Sequence, residues 1–297
     1  MKNFSGKVAA ITGAGSGIGQ ATALALAAEG CHLALADISQ RGLEDTQAKI
    51  GNKNIKVSTH LVDVGNREAV YQYAKDVVTE HGRVNVIMNN AGVGLGETVE
   101  AMSYDNFEWL MNINFWGVVY GTKAFLPLLK QSGEGHIINI SSIFGMIGVP
   151  TQSAYNAAKF AVRGFTESLR EELEIERSCV SASSVHPGGV KTNIARNSRM
   201  GDMGALSKGS HDEIAKMFEK IAMTTPESAA KTILAGVRKN ERRILIGADA
   251  TLIDTTQRLM PSGYQRILER LFRINGIQNR PSSADKPDYT MTEINTK

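Results

Sequence analysis

Tyr155 and Lys159 stand four residues apart in SAYNAAKFAV, and Ser142 precedes them in ISS. Residues at i and i+4 share one face of a helix, so this spacing sets an ammonium beside a phenol, with a hydroxyl arriving from the end of a neighbouring strand. A free phenol titrates at about 10 and is a poor base at neutral pH, but a nearby positive charge favours the phenolate. A tyrosine tuned in this way takes a proton from an alcohol or returns one to a carbonyl. In isolation, two polar residues at helical spacing describe a solvated helix face, so the chemistry depends on what else the chain supplies.

The elements that must position these groups are legible. The apolar run Val8-Ala9-Ala10-Ile11 reads as a buried strand and enters TGAGSGIG, Thr12 to Gly19; an Ala/Leu-rich segment, Gln20 to Glu29, follows as a helix. A strand, a glycine turn and a helix N-terminus together make a diphosphate site, because glycines let the backbone approach and the unpaired N–H groups attract negative charge. The generic G-x-G-x-x-G spacing is not met, since Ile18 stands where the third glycine is expected; the spacing present is T-G-x-x-x-G-x-G, with Gly13, Gly17 and Gly19. Apolar runs near 7–13, 32–37, 55–61, 84–89, 135–141, 179–185 and 243–247 alternate with helical segments. That alternation predicts an α/β fold: a single-domain, Rossmann-type, doubly wound sandwich around a seven-stranded parallel sheet.

With the glycine turn and the Tyr155/Lys159 pair in place, the chain resembles the short-chain dehydrogenase/reductase (SDR) family from Lys7 to about Gly247. The resemblance implies an NAD(P)-dependent oxidoreductase acting on CH–OH donors. It makes Tyr155 the acid/base, Lys159 the group that lowers its pKa and binds the nicotinamide ribose, Ser142 a hydrogen-bond donor to the substrate oxygen, and Asn114 in NINFWG the holder of a water linking Lys159 to solvent. NNAG, Asn89 to Gly92, resembles the family's sheet-stabilising turn below the cofactor. By the same resemblance Gly13, Ser16, Gly17, Ile18 and Gly19 surround the diphosphate, Asp63 and Val64 flank the adenine, and Asn90 meets the adenosine ribose. PGGVKT, with Pro187, Gly188, Val190 and Thr192, closes over the nicotinamide carboxamide. His186 is read as structural, and Ser141 competes with Ser142 as a mere strand end.

The strand CHLALAD ends at Asp37, where a dinucleotide fold places the carboxylate that accepts from the adenosine ribose. A phosphate on that ribose would meet a negative charge, so NAD is expected over NADP. Ser16, where many NADP-using relatives carry a basic residue, points the same way, while Arg41 is the one nearby cation that could take a phosphate. The competing reading of Asp37 is a helix N-cap in front of ISQRG.

Substrate choice is expected in a lid from Asn193 to about Thr224, which carries Met200, Met203, Leu206, Met217, Phe218, Ile221 and Met223; IFGMIGVP at 143–150 adds an apolar wall. Methionines adapt to irregular ligands, so a hydrophobic secondary alcohol or its ketone is expected. The alternative is that Ile214, Met217, Phe218 and Ile221 merely pack a lid helix onto the body. Beyond the last strand a helical extension over about 250–274 carries a stripe of Tyr264, Ile267, Leu268, Leu271 and Phe272 beside Arg266, Arg270 and Arg273. It is expected to pack on the body or a second subunit, with peripheral membrane contact as the alternative. The catalytic domain is thus assigned to 1–274, and residues 275–297 are read as a mobile polar tail.

The chain has 297 residues, 42% of them hydrophobic, a net charge of +3 without a polybasic run, and two distant cysteines, Cys31 and Cys179, in apolar strand-like contexts. This argues against nucleic acid, a metal site or a disulfide framework. No apolar run approaches membrane-spanning length and the first strand begins within a few residues of Met1, so a cytoplasmic homo-oligomer, dimer or tetramer, is expected. Rival classes are an NADP-dependent carbonyl reductase, a cofactor-retaining isomerase or dehydratase, and a nucleotide sensor on a retired scaffold.

Overall fold

The computed structural model describes residues 1–51, 54–206 and 210–276. Most of the residues assigned to a mobile tail, 277–297, lie outside the described residues. Seven strands form one parallel sheet: β1 (Val8–Thr12), β2 (His32–Asp37), β3 (Val57–Leu61), β4 (Val86–Asn89), β6 (Gly135–Ile140), β7 (Val180–Pro187) and β9 (Arg243–Ile246), in the spatial order β3-β2-β1-β4-β6-β7-β9. A two-stranded parallel ribbon, β5 (Leu95–Gly96) with β8 (Arg199–Met200), lies apart.

The strands are apolar at successive positions because both faces are covered. Ala9 and Ile11 of β1, Val86 and Met88 of β4, and Ile138 and Ile140 of β6 enter one core cluster. Val8 and Ala10, Ile87 and Ile137 enter the other. Side chains alternate along a strand, so one sequence run feeds two cores. The first core is closed by α1 (Gly17–Ala28) and α8 (Pro226–Arg238), with Leu26, Ile233 and Val237 buried. The second is closed by α3 (Arg67–His81), α5 (Gly117–Gln131) and α6 (Ser153–Ile175), through Tyr73, Phe125 and Leu173. Burying each such side chain contributes on the order of 2 kcal/mol.

The winding reverses between β1 and β4: the chain runs outward through β2 and β3 on one side and through β6, β7 and β9 on the other. Loops at the carboxyl ends of strands flanking such a reversal splay apart and leave a crevice. The glycine turn after β1, the NNAG segment after β4, Ser142 after β6 and the PGG loop after β7 all issue from that edge.

Three features were not legible, the π turn, the small ribbon and the exposure of Cys179, whereas the C-terminal helices were expected. The helix expected around NINFWG is interrupted by a π-helical turn, Asn112–Trp116, between α4 (Tyr104–Met111) and α5. The ribbon β5–β8 ties the segment after NNAG to the expected lid. The helical extension expected over about 250–274 is a pair of helices, α9 (Ala248–Leu259) and α10 (Gly263–Gly276), with α9 joined to β9 by an Arg243–Asp254 ion pair of 2.8 Å. Cys31 is buried as expected, but Cys179 is exposed, lying just before β7 rather than inside it; both thiols are free. No helix among the described residues is long and apolar enough to cross a membrane.

Candidate active site

The helices α2 (Gln40–Lys49), α3, α4, α7 (His211–Ile221) and α8 each begin with a side chain bonded to the first turn; α1 does not, and its first turn carries no acid. Its N-cap, Ser16, is exposed and its hydroxyl makes no capping bond. An open helix start behind a glycine turn draws an anion. Gly13 and Gly17 have φ of 64° and 54°, where a side chain is strained. A Cβ on Gly19 would run into the Gly13 carbonyl oxygen and come within 2.6 Å of the Asn90 amide nitrogen. The turn therefore fits a dinucleotide diphosphate, with Ile18 half-buried against the first core.

Asn90, expected beside the adenosine ribose, lies under the glycine turn. Its Nδ2 donates to the carbonyls of Thr12 and Gly13 at 2.9 and 3.1 Å, so the amide braces the glycine turn from below. Asp37 sits beside the turn: Oδ2 accepts from the Gly15 amide at 2.8 Å and Oδ1 from Ser39 at 2.9 Å. The cap of α2 is Ser39, whose side chain accepts from Gly42, so Asp37 is not the helix cap. Asp63 is exposed and its Oδ1 accepts from Gly65, while Val64 is buried against Gly117. A polar crevice of about 470 Å³ lined by Asp63, Gly65, Asn112 and Tyr120 borders this loop; it contains neither Ser142 nor Tyr155 and is not the reaction cleft. Arg41 is exposed on the first turn of α2.

The structure brings Ser142, Tyr155 and Lys159 together. Tyr155 and Lys159 lie one turn apart on α6, and the Lys159 Nζ lies 5.5 Å from the centroid of the phenol ring. The Nζ donates to the Ile140 carbonyl at 3.0 Å, which ties the cation to the end of β6. Burial pushes the Tyr155 phenol up to about 12, with a Ser142 hydrogen bond acting downward, and pulls the Lys159 ammonium down to about 8. Burial is the larger of the two influences on the phenol, because it disfavours the charged form of a tyrosine.

The two serines separate cleanly. Ser141 is buried and its hydroxyl donates to the Lys159 backbone carbonyl at 2.8 Å, binding β6 to α6. Ser142 has extended backbone, φ −169°, and its hydroxyl accepts from the Phe144 amide at 3.1 Å while lying near enough to Tyr155 to act on the phenol. His186 supports it from behind: Nδ1 meets the Ser142 carbonyl at 3.1 Å and Nε2 meets Ser184 at 2.9 Å, while burial pulls the imidazole down to about 4. A neutral ring wedged between strand ends is the structural role expected of it.

Asn114 lies on the π turn, fully buried, and its carboxamide closes a two-point bond to the Val93 backbone, 2.8 Å in each direction. Single-turn π bulges recur at functional sites because the extra residue re-aims a side chain. A Cβ on Gly92 would lie 3.2 Å from Asn114 Oδ1 and 3.6 Å from Lys159 Nζ. The missing side chain at Gly92 thus leaves a gap joining the amide to the ammonium.

The loop after β7 is held by a residue that sequence reasoning missed. The Asp249 carboxylate, on the first turn of α9, accepts from the Gly189 amide at 2.6 Å, and a Cβ on Gly188 or Gly247 would strike it. Its signal was the pairing of PGG with a later Gly-x-Asp, which adjacency in sequence does not suggest. Val190 is buried and bridges Thr224, and the Thr192 methyl lies 3.1 Å from where a Gly17 Cβ would stand. This loop therefore reaches back to the glycine turn.

The lid is only partly apolar inward. On α7, Ile214 and Phe218 are half-buried, whereas Met217 and Ile221, and Met223 just after the helix, are exposed at 60, 61 and 75%. Met200, Met203 and Leu206 are half-buried. In the extension, Tyr264, Leu268 and Phe272 are half-buried while Ile267 and Leu271 face outward. The stripe is thus split between the body and solvent.

Comparison with known proteins gives the same picture. The short chain dehydrogenase family matches residues 7–202. The putative oxidoreductase SadH of Mycobacterium tuberculosis is 46% identical over 269 residues, covering 90% of this chain and 96% of its own. Human estradiol 17-beta-dehydrogenase 11 is 32% identical over 270 residues, 91% of this chain and 84% of the relative. Among solved structures, a short chain dehydrogenase/reductase from Burkholderia phymatum in complex with NAD superposes with a TM-score of 0.77 at 27% identity, over 95% of this chain and 100% of that one.

Proposed function

Because this chain belongs to the short-chain dehydrogenase family of oxidoreductases, we propose that it is an NAD(H)-dependent enzyme interconverting a hydrophobic secondary alcohol and its ketone. The observation that carries the reading is the convergence of Ser142, Tyr155 and Lys159. A nicotinamide dinucleotide, bound along the open start of α1 and under the PGG loop, supplies the two-electron acceptor or donor. Ser142 and Tyr155 hold the substrate oxygen between two hydroxyls, stabilising charge as it develops there. Tyr155 gives its proton to a carbonyl in reduction and takes one from an alcohol in oxidation. Lys159 favours the phenolate when the reaction calls for it and meets the nicotinamide ribose, and the gap at Gly92 gives its proton a way toward Asn114. Since burial keeps the phenol protonated, reduction rates should fall and oxidation rates rise as pH is raised, which initial rates in both directions would read.

NAD is preferred to NADP because Asp37 stands at the end of β2 beside Gly15, where a ribose phosphate would meet a carboxylate. Catalytic efficiency with NAD should exceed that with NADP by roughly tenfold or more, about 1.4 kcal/mol. Asp37→Ser should narrow the ratio; a wild type preferring NADP would overturn the assignment and implicate Arg41.

The apolar wall at 143–150 and the inward residues of the lid favour a hydrophobic substrate, as does the human relative named for estradiol 17-beta dehydrogenation. A panel of secondary alcohols and ketones, followed by NADH absorbance, tests this. Efficiency should climb with apolar size by about 0.8 kcal/mol for each methylene buried. A flat response, or a preference for sugars, would reject the hydrophobic pocket. No absorbance change with any compound would leave an isomerase or a nucleotide sensor. On this reading the enzyme works in a reducing cytoplasm, where free Cys31 and Cys179 persist, and exposed Trp116 and Phe160 serve a subunit contact.

A further inference from the structure

The segment between Ser142 and Tyr155 is held from two sides. On the inside, Asn156, the residue after Tyr155, donates to the carbonyls of Phe144 and Ile147 at 2.7 and 2.8 Å and accepts from the Val149 amide at 3.0 Å. The Phe144 ring packs edge-on against the Tyr155 ring, 6.0 Å between centroids. These bonds fix the loop to the catalytic helix, and they leave out the Gly148 amide. That N–H donates to the Tyr264 hydroxyl of α10 at 3.1 Å, across 116 residues of sequence. The same helix packs against the 204–206 turn of the lid, and α9 packs against the 143–145 turn that follows Ser142.

The C-terminal helical pair thus touches both walls that the substrate must pass between, the loop and the lid. We propose that α10 is the outer wall of the substrate pocket and that Tyr264 is a specificity-determining residue, fastening that wall to the 143–150 loop so that long apolar substrates find a closed surface to bind. The inference rests on the dehydrogenase reading above and adds what sets the size of the alcohol. Geometry favours this role over simple packing. The Tyr264 hydroxyl bonds a main-chain amide of the loop whose Phe144 meets the catalytic phenol, and a tyrosine at the rim of a cleft offers a large apolar face with one polar end. The bond itself is on the exposed side of the loop, so its loss loosens the wall without opening the core.

Tyr264→Phe keeps the ring and removes the hydroxyl, and two measurements decide the proposal. Hydrogen exchange across residues 146–150 should accelerate at least fivefold in the variant. The ratio of kcat/KM for a long secondary alcohol to that for a short one should fall at least fivefold, through KM for the long alcohol rather than through kcat. The dissociation constant for NADH, read by fluorescence, should stay within twofold. Unchanged exchange would show that the bond does not hold the loop, and an unchanged ratio that the wall does not select substrate; either overturns the proposal. A wild type inert to every alcohol and ketone would instead sink the dehydrogenase reading and the specificity role with it, and the exchange measurement, which needs no turnover, tells the two failures apart.

Discussion

Tyr155→Phe should lower kcat/KM for alcohol oxidation by roughly 10³-fold, about 4 kcal/mol of transition-state stabilisation, while changing NADH affinity by less than threefold. The ring remains, so its edge contact with Phe144 and the position of the Lys159 ammonium over its face are preserved. What is lost is the phenol proton beside Ser142. Two controls sharpen the result. Ser142→Ala should cost less, because Tyr155 still moves the proton and only one hydrogen bond to the substrate oxygen disappears. In wild type the oxidation rate should rise with pH, since a phenol raised to about 12 by burial must lose its proton to act as base; in the phenylalanine variant that rise should vanish. Retention of a tenth or more of the wild-type rate with an unaltered pH profile would remove Tyr155 from the acid/base role.

That prediction rests on residues whose spacing suggested a shared face and whose roles came from the resemblance to the short-chain dehydrogenase family. Tyr155 and Lys159 share a helix, and one turn of separation is enough to bring them onto one face. The strands were equally legible, because a sheet buried on both faces needs continuous apolar runs, which Val8–Ile11 and Ile137–Ile140 supply to two cores at once. Positions that depend on tertiary partners were harder. Lys159 neighbours Tyr155 as expected, but whether its charge or burial wins at the phenol depends on where Nζ points, and the Ile140 carbonyl that captures it belongs to another element. Asn90 was placed at the ribose by resemblance, and its brace on the glycine turn was not foreseen because the two carbonyls it serves lie 77 and 78 residues away. Asp249 was invisible for the same reason, since the glycines that make room for it come from both ends of the α8–β9 unit. The π turn at Asn114 has no periodicity of its own within five residues, so an apolar count reads through it as ordinary helix.

Gly19→Ala should be severely damaging to cofactor binding, and the reason separates the backbone's role from that of any side chain. A helical alanine is ordinarily favoured over glycine by up to about 1 kcal/mol. Here the added Cβ would overlap the Gly13 carbonyl oxygen and press on the Asn90 amide that braces the same turn. Neither is the free end of a flexible side chain: Gly13 is backbone at φ 64°, and Asn90 is fixed by bonds to Thr12 and Gly13. Relief requires the turn to move away from α1, which carries the open N–H groups out of register with the diphosphate they would hold. Overpacking of this kind costs about 1–3 kcal/mol in stability. The loss of NADH affinity should be larger, roughly 100-fold or about 2.7 kcal/mol, because several main-chain donors shift together. Gly82→Ala is the matching control: Gly82 ends α3 at φ 76° with nothing within 4 Å of its Cβ position, so it should lower the melting temperature by a comparable few degrees without touching cofactor affinity. Fluorescence titration with NADH alongside thermal unfolding separates the two. Equal NADH affinity in Gly19→Ala and wild type would mean that the turn does not cradle the cofactor, whatever the melting temperatures show.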